Sequence, residues 1–197
     1  MTKENDIKII LASQSPRRKE LMTLMGLQFE CKPSNKEEDM TQKMSIKNLS
    51  QSLAKQKALD IFFSTSGNRV VIGSDCMVYL KNKIFGKPKD DAEAFNMLKT
   101  LSNKWHKVIT SLCVLIEKDG RQKQYLTSEV TKVKFMNLDD DMIYDYLKTG
   151  EHKDKAGSYA IQGKSGMFIE KIKGNMATVI GLPTCKLFKI LRKESIM

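Results

Sequence analysis

Short apolar runs of strand length alternate along this chain with segments whose apolar residues recur at helical spacing, and this alternation restricts the fold more than any other feature. Residues 7–11 suit a buried strand. Ser15 then offers an N-cap and Pro16 a first helical position, with Leu21, Leu24 and Met25 as the apolar stripe and Gly26 as the stop. A strand at 29–32 leads into a polar loop at 34–41, and a helix follows over 45–63 with Leu49, Leu53, Ala54 and Ile61 in register. The next strand runs from 70 to 80 and turns back at 81–83, and 91–101 forms a helix with acids in its first turn, where the dipole favours them. Residues 107–117 and 122–134 make a long hairpin turning at Asp119 and Gly120. A helix at 139–148, a loop at 150–157, a strand at 167–172 and a last helix at 182–192 complete the pattern. Hairpins beside strand–helix–strand units define an α/β class with a mixed sheet. The 197 residues suit a single domain over 1–197, with one lobe or two.

Composition narrows the functions. Hydrophobic residues make up 41% and charged residues 29%, an ordinary globular balance. No apolar run nears the ~20 residues that cross a bilayer, and 7–11 is too short for a signal-peptide core. A cytoplasmic protein with no membrane partner is therefore expected. Cys31, Cys76, Cys113 and Cys185 lie far apart without a CxxC pair, which disfavours a disulfide scaffold or zinc knuckle. His106 and His152 are too few for a histidine-rich metal site, so any metal is a hard cation held by carboxylates and phosphates. The net charge of +11 suits nucleic acid or a small polyanion alike. Its 34 basic residues are scattered among 23 acidic ones, and most read as solvated surface.

Five segments carry chemical signals. In 12–18 a strand ends in a serine-rich turn and a helix begins, and such an N-terminus presents unpaired N–H groups to a phosphate. Arg17 and Arg18 stand in that first turn against the helix dipole, as phosphate contacts or simply as exposed side chains. Asp75 lies in the apolar strand Val71-Ile72-Gly73-Ser74-Asp75-Cys76, where a carboxylate needs a partner or a metal, and Gly73 permits close approach of a ligand or of backbone. The turn Phe85-Gly86-Lys87-Pro88 aims Lys87 in one direction, as a phosphate partner or as a solvated turn lysine. Lys57, beside an apolar helix stripe, reads the same two ways, with its head directed inward or simply in solvent. The tract Glu37-Glu38-Asp39 reads locally as a plain loop. Gln162, in a glycine-flanked segment, suits a base edge or faces water at a strand edge.

Together these segments resemble the Maf family of nucleoside triphosphate pyrophosphatases, from about residue 9 to residue 183. The likeness rests on LASQSPRR, LAKQKA, GSD followed by GKP, LSNKWHKVIT, DKAGSYAIQG and VIGLP, six pieces in the family's order. It implies a curved mixed sheet flanked by helices, two lobes with a cleft, in an inosine-triphosphatase-like fold. It also implies Asp75 as the proton acceptor, with Ser13, Arg17, Arg18, Lys57 and Lys87 on the substrate. Glu38 and Asp75 would hold Mg²⁺ or Mn²⁺, and Arg17, Cys76 and Gln162 would tune substrate choice. The SPRR form is similar to the branch acting on dTTP and UTP, although Cys76 stands where that branch usually has threonine.

The resemblance implies a reaction in which Asp75 deprotonates a water for attack at the α-phosphorus, with pyrophosphate leaving. The expected partner is the triphosphate, without nucleic acid or membrane, and a homodimer is left open. Three other readings stay open: the 7-methylguanosine triphosphate branch, a basic nucleic-acid-binding module, and a non-catalytic family member in cell-division control. His106 is expected to be structural.

Overall fold

The first strand, β1 (Lys8–Leu11), pairs in parallel with β2 (Glu30–Cys31) on one side and β3 (Arg69–Leu80) on the other. This computed structural model describes residues 7–39 and 42–197; positions 40 and 41, which close the expected polar loop, lie outside the described residues. Parallel neighbours need helical crossovers, supplied by α1 (Pro16–Leu24) and α2 (Ile46–Phe63). Next, β3 turns back antiparallel into β4 (Lys83–Phe85), and α3 (Asp91–Leu101) leads to the hairpin β5 (Trp105–Lys118) and β6 (Arg121–Phe135). After α4 (Asp140–Leu147) come two 3₁₀ turns, Ala156–Ser158 and Lys164–Phe168, then β7 (Ile169–Lys173) antiparallel to β6. Two helices, α5 (Met176–Ile180) and α6 (Thr184–Lys193), end the chain. The strands form one mixed seven-stranded sheet in the order β2-β1-β3-β5-β6-β7, with β4 against β3 off that path.

The residues group into two compact units, each discontinuous in sequence: 1–75, 110–129 and 181–197 in the first, 76–109 and 130–180 in the second. In the first, α2 packs Ala54, Ala58, Ile61 and Phe62 against Ile10, Val71, Cys113 and Leu115. Buried Arg69 clamps the end of α2: Nη2 donates to Phe62 O at 3.1 Å, Nη1 pairs with Glu117 at 2.8 Å, and the guanidinium sits 4.0 Å from the Phe62 ring centroid. In the second, α3 and α4 bury Met97, Leu98, Leu101, Ile143 and Tyr146 with Val108, Val133 and Phe135. Asp90 and Asp139 cap these helices through side-chain bonds to Glu93 N and Met142 N.

Four expectations need correction. Leu24 is 76% exposed, because the nine-residue α1 buries Leu21 and Met22 instead. Ser15 holds the N-cap position without a side-chain cap bond. Met167 and Phe168 close a 3₁₀ turn, so β7 starts at Ile169, and the short α5 precedes a last helix that starts only at Thr184.

His106 is structural, as expected. It is 1% exposed, its Nε2 lies 2.8 Å from the Tyr159 hydroxyl, and it meets Phe135 and Tyr159 edge-on. Burial depresses its pKa to about 4 from the ordinary 6.5. Between those values the unfolded chain binds the extra proton, so stability falls as pH drops below 6.5, by about 3 kcal/mol at pH 4. Thermal unfolding at pH 7 and pH 4.5 should show a smaller acid loss for His106→Gln than for the wild type; equal losses would place the sensitivity elsewhere.

Candidate functional site

Gly73 governs the site in the first unit. A Cβ there would lie 2.3 Å from Ala54 O and 2.8 Å from Ala58 N, so only glycine lets the backbone of α2 rest on β3. Of the two approaches its sequence allowed, ligand or backbone, the backbone is the one seen. Lys57 lies between those two alanines on α2 and Asp75 two residues beyond Gly73 on β3, and the contact brings their side chains together. Lys57 Nζ donates to Asp75 Oδ1 at 2.8 Å and pairs with Glu38 Oε1 at 2.7 Å.

This lysine therefore bridges two carboxylates. Its side chain is 15% exposed and that of Asp75 only 6%, so the pair is shielded from water and resists screening by salt. Asp75 Oδ2 is buried and has no hydrogen-bond partner among the described residues. An unsatisfied buried carboxylate oxygen is costly, and such an atom asks for a water, a proton or a cation.

Glu38 arrives on a loop laid along α2. Ser34 Oγ donates to Asp60 Oδ2 at 2.8 Å, and Gln56 Nε2 donates to Glu37 O at 3.2 Å. Asp60, Gln56 and Lys57 share one side of the helix at spacings of three and four. The loop is thus anchored at the helix rather than free in solvent, and neither anchor could be read from the local sequence.

The serine–arginine turn lies in the same unit. Arg18 reaches back from the first turn of α1, donating through Nε to Gly181 O at 2.9 Å and through Nη1 to Ser13 Oγ at 3.0 Å. Ser74 Oγ also reaches Gly181 O at 3.0 Å and Ser111 O at 2.9 Å. Gly181 has φ +117, a backbone conformation that favours glycine. Ser13 Oγ accepts from Arg18 and, at 3.2 Å, from Ser15 N. Both its lone pairs are taken, so its own proton is left to donate. Arg17, half-buried, occupies the same helical turn.

Cys76, Lys87 and Gln162 belong to the second unit. Cys76 packs against that unit's core, with its thiol 4.0 Å from Thr178 O. Lys87 is exposed, beside Gly86, whose carbonyl accepts from Gly157 N at 3.0 Å. That bond ties the lysine's turn to the segment that carries Gln162. Gly157 has φ +69, and a Cβ there would meet Val78 at 2.9 Å, so glycine fixes the junction. Gln162 is exposed in the turn closed by Gly163 N donating to Ala160 O at 3.0 Å, not at a strand edge.

A buried carboxylate fixed by a lysine, with a serine hydroxyl left to donate just before a helix start in the same unit, suits a protein that handles phosphate anions. The chain belongs to the Maf-like protein family, whose pattern it matches over residues 8–194. It is 44% identical over 191 residues to the dTTP/UTP pyrophosphatase of Aquifex aeolicus (strain VF5), covering 97% of each chain. It is 45% identical over 188 residues to the enzyme of the same name from Alkaliphilus oremlandii (strain OhILAs), covering 95% of this chain and 96% of that one. Among solved structures, a HAM1 protein from Coxiella burnetii aligns over 95% of this chain and 100% of its own, at 15% identity and a TM-score of 0.48, too distant to bear on function.

The tight Gly73 contact makes a direct prediction. Gly73→Ala must push α2 off β3 and should cost about 3 kcal/mol or more, in the upper range for overpacking. Thermal unfolding should drop by roughly 6–12 °C for a chain of this size, and a variant within a degree of wild type would contradict the packing described.

Proposed function

We propose that this protein is a nucleoside triphosphate pyrophosphatase that hydrolyses dTTP- and UTP-type nucleotides to the monophosphate and pyrophosphate in the cytoplasm. The observation that carries this reading is Asp75: one carboxylate oxygen is held by Lys57 and the other, buried, has no partner among the described residues. A fixed carboxylate with one open oxygen can orient a water and take its proton. The dTTP/UTP pyrophosphatases that the chain resembles at 44 and 45% identity support the same reaction class.

In this account Lys57 sets the Asp75 rotamer, and Oδ2 receives the proton as the water attacks the α-phosphorus. By the family likeness Arg17 and Lys87 balance the triphosphate charge, Ser13 donates a hydrogen bond to it, Arg18 keeps the Ser13 hydroxyl in its donating sense, and Gln162 reads the base edge. Such chemistry is mostly positioning and charge stabilisation.

The residues also fit a divalent cation, although no cluster of three or more histidine, cysteine or acidic side chains occurs among the described residues. Glu38 and Asp75 are hard oxygen donors converging on one ammonium, a pairing that suits Mg²⁺ or Mn²⁺ completing its shell with phosphate oxygens and water, while Asp75 Oδ2 is left for the attacking water. When bound, such an ion would neutralise charge on the phosphates.

Asp75→Asn should retain the fold and nucleotide binding while losing at least ~100-fold in turnover, as for loss of a general base. Pyrophosphate release from dTTP at near wild-type rate would refute the assignment. On substrate choice, kcat/KM for UTP and dTTP should exceed that for GTP and 7-methylguanosine triphosphate; a clear lead for a guanine nucleotide would overturn the branch and leave the reaction class standing. Because Cys76 packs into its unit's core, Cys76→Thr should shift kcat/KM by less than roughly tenfold, about 1.4 kcal/mol.

A further inference from the structure

The second unit carries a charged surface that the proposed reaction does not use. Along β6 and β7, Lys132 lies directly opposite Lys173, and Lys134 opposite Lys171. Like charges facing one another across an antiparallel pair are unfavourable, and here two such pairs stand side by side. The alternate residues Val133 and Phe135 point into the core, so the lysines occupy the opposite, solvent-facing side. Trp105 and Lys107 of β5 join them: Lys173 Nζ lies 5.2 Å from the Trp105 ring centroid, and Lys107 Nζ lies 5.7 Å from that of Tyr79 on β3.

One sheet face thus presents five lysines interleaved with two aromatic rings, Trp105 exposed and Tyr79 half-buried. Opposing charge is sparse. The strand segments of this unit hold one acid, Glu170, whose carboxylate is 3.5 Å from Lys171 Nζ. Lys134 Nζ donates to Asn103 O and Oδ1, each at 2.6 Å, which holds its ammonium in place without neutralising it. The sequence suggested scattered lysines on a solvated surface; the register of β6 and β7 gathers them instead.

We propose that this face docks single-stranded nucleic acid, with the lysines on successive phosphates and the Trp105 ring stacking on a base. Charge complementarity selects a polyanion, and an exposed tryptophan ring among the cations favours unpaired bases over a duplex, whose bases are already stacked. The proposal is independent of nucleotide hydrolysis, since no residue of the face belongs to the site built around Asp75.

The experiment uses the full chain, in which Trp105 is the only tryptophan and therefore reports on this face alone. Titration with unlabelled (dT)15 at low salt should quench tryptophan emission. The affinity should fall with salt at a log–log slope of about 0.7 per phosphate contacted. Lys132→Glu and Lys171→Glu each set an acid opposite a lysine, so both should fold, as circular dichroism checks. Each should weaken binding at least tenfold while pyrophosphate release from dTTP stays unchanged, and Trp105→Phe, followed by anisotropy of end-labelled oligonucleotides, should weaken (dT)15 more than a duplex of equal length. The proposal fails if (dT)15 does not bind at low salt, or if binding survives both charge reversals. It also fails if poly-glutamate competes as well as the oligonucleotide, or if vesicles of anionic lipid bind where (dT)15 does not. Absence of dTTP hydrolysis in the wild type would count against the proposed reaction and leave this face untouched.

Discussion

The contact of the α2 backbone with Gly73 is the constraint on which the site depends. Helices ordinarily keep a sheet at side-chain distance; here Ala54 and Ala58 sit where a Cβ on residue 73 would have to be. The pair of small residues on the helix and the missing side chain on the strand together bring Lys57 within 2.8 Å of Asp75. A longer separation would leave a carboxylate stranded in an apolar strand, with its desolvation uncompensated. The packing and the electrostatics are therefore one arrangement, and neither stands without the other.

A second arrangement supports the first from the far end of the sequence. Gly181, 163 residues from Arg18, offers one carbonyl to both Arg18 and Ser74. Ser74 adjoins Asp75, and Arg18 fixes Ser13. One glycine carbonyl consequently joins the strand that bears the carboxylate to the turn that bears the hydroxyl. The cost of placing an arginine in the first turn of a helix, ~0.3–1 kcal/mol, is offset by these two bonds, each with a charged donor.

Much of this was legible in the sequence, and the exceptions have physical causes. Asp90 and Asp139 announce α3 and α4 because a cap is a local signal, and Asp119-Gly120 announces its hairpin for the same reason. Asp75 and Gly73 stood out because a carboxylate and a glycine in an apolar strand violate local rules, whereas Lys57 on its helix gave only a weak signal. The segment from Ala156 to Phe168 did not read correctly, since neither of its 3₁₀ turns follows an apolar period: the first rests on Gly157 and Ser158 at φ +69 and +63, and the second is a five-residue turn at Lys164–Phe168. Glu38 was unreadable for another reason: its anchors, Gln56 and Asp60, lie on a helix some twenty residues away and resemble ordinary exposed polar residues. Arg18 was expected on the substrate; its backbone partner at Gly181 is set by tertiary packing alone. The family likeness implies a metal-site role for Glu38 that local reasoning did not suggest, while the structure shows its carboxylate paired with Lys57.

Convergence of Glu38, Lys57 and Asp75 is proposed to serve a triphosphate and its cation. It is tested most directly by a crystal structure with Mg²⁺ and a dUTP analogue carrying an imido bridge between the α- and β-phosphates. The account predicts density for the ion at ~2.0–2.1 Å from oxygens of Glu38 and Asp75, with Lys57 still within hydrogen-bonding distance of Asp75 or turned to a phosphate. An ion and triphosphate bound away from both carboxylates, with Asp75 Oδ2 remote from the α-phosphorus, would contradict it.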